Sequence, residues 1–115
     1  MLIKSTIIAA ALSLAGCQTI AAPVCDIHRV DPPQHYLDAG RQQLVLTVIM
    51  NADQVQARCE DTPVGCVLGF TDLGGGVRVW SIAVVDDPSP WGMTRQQVED
   101  HETAHVGGWN RCHNN

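Results

Sequence analysis

Thr94-Arg95-Gln96-Gln97-Val98-Glu99-Asp100-His101-Glu102-Thr103-Ala104-His105-Val106-Gly107-Gly108 is the stretch on which the reading of this chain turns. A threonine followed three positions later by glutamine is a capping box, so the spacing opens a helix after Thr94. Paired glycines close it, which predicts a helix over about Arg95–Val106. On that helix His101 and His105 stand one turn apart and project from the same face, within reach of a single metal ion. Glu102 can reach a water molecule beside such an ion without ligating the ion itself. Val98, His101, Glu102 and His105 would make a poor apolar stripe, so this face reads as chemistry rather than core.

Upstream, Asp86-Asp87-Pro88-Ser89-Pro90 ends a β run. That run, Val77 to Val85, is joined to Cys66-Val67-Leu68-Gly69-Phe70-Thr71 by Asp72-Leu73-Gly74-Gly75-Gly76, which is a hairpin pattern. Leu44 to Met50 is continuous and β-branched-rich, as in a buried strand. Asn51 or Asp53 then caps a short helix running to Cys59. Residues 18–43 hold Pro23, Asp31-Pro32-Pro33 and Gly40 without a period. They read as tether and loop, with an early strand near Asp26–Val30. The expected fold class is α+β: a mainly antiparallel sheet of three or four strands, one short helix, and the histidine helix late in the chain.

The chain has 115 residues, enough for one domain, with 7 Lys+Arg against 12 Asp+Glu. This acidic balance excludes nucleic acid as a partner, because binding phosphate needs clustered cations. Lys4, the apolar run Ile7–Leu14 and the small residues after it have the form of an export signal, too short to span a membrane. Leu14-Ala15-Gly16-Cys17 resembles the lipobox of bacterial lipoproteins. The resemblance implies a signal peptide over residues 1–16, acylation of Cys17, and a lipidated tether over residues 17–24. With Gln18 after the cysteine, it also implies residence at the outer membrane, facing the periplasm. The domain is then residues 25–115. Four of the 5 cysteines remain, and an even number in an exported small domain reads as two disulfides. The turn-rich segment between Cys59 and Cys66 favours that local pair, which leaves Cys25 with Cys112. Free thiols or metal ligation are the alternatives.

His101-Glu102-Thr103-Ala104-His105, with Gly108 three positions on, resembles the zinc-binding stretch of zincin metallopeptidases, and within them the metzincin-like pattern. The match covers about 20 residues, and it departs where the pattern's third histidine would fall, on Arg111. The resemblance implies a small zincin-like domain, a Zn²⁺ cofactor, Glu102 as catalytic base, and peptide or protein substrates. The third ligand is open among His113, two residues past that position, Cys112, and the upstream His28 or His35. No Asp or Glu follows Glu102 to offer a carboxylate ligand. Arg111, Tyr36 or an upstream histidine could donate to an oxyanion, and Trp109 reads as packing. The expected function is zinc-dependent peptide-bond hydrolysis at the cell envelope. Against it stand a non-catalytic zinc-binding structural or interaction lipoprotein, whose four protein ligands leave no open position, and an envelope module whose motif binds no metal.

Overall fold

The computed structural model describes residues 29–114. The signal peptide, Cys17, the tether, Cys25 and His28 lie outside the described residues. In chain order come α1 (Gln34–Arg41), β1 (Leu44–Met50), α2 (Ala52–Cys59), β2 (Gly65–Gly74), β3 (Val77–Val85), a short 3₁₀ turn (Ser89–Trp91) and α3 (Arg95–Val106). The class is α+β.

Local signals set most of the boundaries. Asn51 caps α2 in a reciprocal box with Gln54, and Thr94 caps α3 in the same way with Gln97. Gly75 and Gly76 turn the hairpin with φ of 61° and 80°, values that glycine adopts without cost. Helix α1 stands where tether and loop were expected. Pro33 precedes it with φ −60° and accepts from the amides of Tyr36 and Leu37. An eight-residue helix is marginal alone. Its stability comes from α3, against which Leu37 packs with Ala104 and Trp109. Two glycines permit the approach. A Cβ on Gly40 would meet the Thr103 backbone, and one on Gly107 would meet the Tyr36 carbonyl. The early strand is also corrected at its described end: Arg29 and Val30 belong to no strand.

The sheet order is β1-β3-β2. β2 and β3 form the expected antiparallel hairpin, whereas β1 runs parallel to β3 from Leu44↔Val79 to Met50↔Val85. The sheet is therefore mixed rather than mainly antiparallel. α2 and the outward strand of the hairpin supply the crossover that a parallel pair requires, and β3 closes into the centre.

Alternation along β3 divides the core. Ala83 and Val85 pack under α2 with Val55 and Cys59, while Ile82 and Val84 pack under α3 with Val98 and Val106. All four β3 side chains are at most 1% exposed. The expected Cys59–Cys66 disulfide is present and ties the end of α2 to the start of β2. Cys112 is also disulfide-bonded.

Candidate metal centre

Helix α3 presents one polar face to a cleft between itself, the end of α2 and the start of β2. The cleft has a volume of about 1220 Å³, and its walls include Glu60, Asp61, Val64 to Val67, His101, Glu102 and His105. The helical repeat brings the two imidazoles together, with His101 Nε2 3.2 Å from His105 Nε2.

Both rings are held from behind. His101 Nδ1 lies 2.8 Å from the Val30 carbonyl, and His105 Nδ1 lies 2.8 Å from the Trp109 carbonyl. A carbonyl can only accept, so each Nδ1 carries the proton and donates it. Each Nε2 is left as a lone pair directed at its neighbour. This is how metal-binding histidines are oriented. Burial is the main reason that His101 titrates far below the usual histidine range, at about 4, and that His105 is shifted the same way; the hydrogen bonds to Val30 and Trp109 oppose the shift. At neutral pH both rings are in the form that can ligate.

The third histidine arrives by a reversal of the chain. The helix ends as Gly107 N–H donates to Thr103 and Gly108 N–H to His105, and Trp109 N–H then donates to Ala104. A turn closed by His113 N–H to the Asn110 carbonyl returns the chain to the helix. One ligand atom from each of His101, His105 and His113 lies within 4.8 Å of the others. His113 has φ 59°, a left-handed conformation uncommon for a residue with a side chain. Such a conformation persists where its surroundings fix it. Here Arg29 donates to the His113 carbonyl at 3.3 Å.

Beneath the histidines lies Trp109, only 3% exposed. Its ring centroid is 5.0 Å from that of His101, 5.1 Å from His105 and 4.7 Å from His113. Its indole N–H donates to the Asn114 carbonyl at 2.8 Å, and the Arg29 guanidinium sits 5.5 Å from the indole centroid. The sequence reading of Trp109 as packing is thus correct but incomplete, because what it packs against is the histidine cluster. No residue pattern announces the two backbone carbonyls that orient His101 and His105.

Glu102 is 7% exposed and lines the same cleft. Burial, with a smaller contribution from Asp61, raises its carboxyl to about 8. Among the described residues nothing donates a hydrogen bond to it. The other candidates lie elsewhere. His35 lies on α1 with its ring tilted against that of Tyr36, centroids 4.1 Å apart, outside the three-histidine group. Cys112, being disulfide-bonded, offers no thiolate. Arg111 pairs with Asp61 at 3.0 Å across the mouth of the cleft, in a pair too exposed to add much stability.

The donor set fits a metal ion. For tetrahedral nitrogen ligation at zinc-like bond lengths, neighbouring nitrogens stand roughly 3.3 Å apart. The His101–His105 separation of 3.2 Å meets that requirement with no rearrangement of the helix. Three imidazoles suit Zn²⁺, and also other first-row ions. The chain matches no known protein family, no curated protein and no solved structure.

Proposed function

We propose that this protein is a zinc-dependent peptidase, with His101, His105 and His113 as ligands and Glu102 as general base. The observation that carries the reading is the convergence of three imidazoles and the Glu102 carboxyl group in one open cleft. Bound Zn²⁺ would act as a Lewis acid, polarising a carbonyl and lowering the pKa of water. The chain's own residues supply the rest. Val30 and Trp109 hold the ligand rings in their tautomers through backbone carbonyls. Glu102, whose ionised form a neighbouring cation would favour, takes the proton of the attacking water and returns it to the leaving amine. β2 is an edge strand, and Gly65 to Val67, which precede its first register shift, line the cleft, so a short extended peptide can pair with this stretch alone.

A closed structural site would need a fourth protein ligand. Among the described residues no further His, Cys, Asp or Glu joins the three histidines, which supports an open coordination position. In this reading the lipid on Cys17 displays the cleft at the envelope surface. The test is Glu102→Gln. This variant is expected to retain one zinc per chain by metal analysis while losing peptide hydrolysis by at least about 100-fold, the scale of general-base catalysis. A zinc-loaded wild type that cleaves nothing across broad peptide libraries would overturn the catalytic assignment.

A further inference from the structure

The two edges of the sheet are built differently. β2, beside the histidine cleft, is broken by register shifts between Val67 and Gly69 and between Asp72 and Gly74. Bulges, glycines and a charged residue such as Asp72 are how sheet edges resist further pairing. β1 has none of these. Its register to β3 is unbroken from Leu44 to Met50, and Leu44-Val45-Leu46-Thr47-Val48-Ile49-Met50 holds no charge, proline or glycine. Leu44 and Leu46 are each 56% exposed and Ile49 is 43% exposed. We propose that β1 is a self-association edge. It pairs antiparallel with β1 of a second copy about a two-fold axis at Thr47, giving one continuous six-stranded sheet.

The strand is self-complementary in that register. A two-fold axis at Thr47 places Leu44 opposite Met50, Val45 opposite Ile49 and Leu46 opposite Val48, so every cross-strand pair is apolar except the central one, in which Thr47 faces its own copy. On the α2 side, Met50 already packs in the cluster around Val55, whereas Leu44 and Leu46 lie beyond the helix and stay open. The second copy covers these two. On the opposite side it brings the exposed Ile49 against Val45, which belongs to the cluster under α3.

Antiparallel pairing about an axis perpendicular to the sheet keeps α2 of both copies on one face of the joined sheet and α3 of both copies on the other, whereas a parallel pair related by a two-fold axis would put them on opposite faces. Because both copies contribute the same patch, the assembly closes as a dimer. The bulged β2 edges and their clefts lie at its two outer ends. Association therefore needs no metal.

Sedimentation equilibrium of the purified chain, from low micromolar to several hundred micromolar, tests this. A reversible monomer–dimer equilibrium is expected, unchanged by chelator. Leu46→Lys places two ammonium groups diagonally across the axis and should raise the dimer dissociation constant at least about tenfold. As Leu46 is exposed, the monomer should keep its circular dichroism spectrum and melting temperature. A monomer at every concentration, open-ended assembly, or a dimer indifferent to Leu46→Lys would overturn the proposal.

Discussion

Gly40→Ala is a sharp test of how the histidine helix is supported. On helix propensity alone, alanine within α1 should stabilise the protein by up to about 1 kcal/mol. The crossing with α3 predicts the opposite sign. The new methyl would lie 2.8 Å from the Thr103 carbonyl carbon and 2.9 Å from Thr103 Cγ2, and nearer still to the carbonyl oxygen. Carbon–carbon contact is comfortable from roughly 3.5 Å, so the helices must separate by about 0.7 Å or more. The obstacle is mostly backbone, which cannot rotate aside. The cost therefore belongs at the upper end of overpacking, about 3 kcal/mol. Subtracting the propensity gain leaves a net loss of about 2 kcal/mol, or a fall in Tm of about 8–16 °C for a domain of this size. Thr103 lies between His101 and His105, so the shift should also weaken zinc binding. Calorimetry of the metal-free variant, followed by zinc titration, measures both effects. Gly107→Ala strikes the same crossing from the other helix and should behave alike. A Gly40→Ala protein as stable as the wild type, or more so, would show that α1 and α3 do not meet as described.

Other expectations concern separate parts of the molecule. Zinc at about one hundred times its dissociation constant should stabilise the fold by about 2.7 kcal/mol, read as a chelator-reversible rise in Tm. His113→Ala should remove that rise while leaving the metal-free Tm near that of the wild type. Replacing both Cys59 and Cys66 by serine opens a cross-link of sequence separation 7, and should cost about 2.5 kcal/mol in denaturant titrations. Thr94→Ala removes the side-chain half of the α3 cap and should cost about 1 kcal/mol, with Thr94→Ser restoring most of it.

The parts of the fold legible in the sequence are those fixed by neighbouring residues. Thr94 with Gln97 marks the start of α3 and Gly107-Gly108 its end, and Gly75-Gly76 marks the hairpin. The Cys59–Cys66 bridge was legible for the same reason, since only a short loop separates its ends. Helix α1 was hidden because its stability lies in the meeting of Gly40 and Thr103, far apart in sequence. Parallel pairing of β1 with β3 was hidden likewise, as no turn residue encodes a crossover of that length. At the site, the i, i+4 histidines were plain from spacing. The approach of His113 depends on a turn through Asn110, and the ring orientations depend on main-chain oxygens of Val30 and Trp109, for which any residue would serve.

The indole of Trp109, set against all three imidazoles, gives the centre its own optical reporter. Of the 3 tryptophans, Trp91 is 42% exposed and Trp109 is 3% exposed, so their emission should differ in wavelength, with the buried ring at the blue side. A paramagnetic ion such as Cu²⁺ or Co²⁺ on the histidines would sit within a few ångströms of that ring and extinguish the blue component first. Metal occupancy can then be followed in the unlabelled protein, in stopped flow or on vesicles, with no substrate in hand.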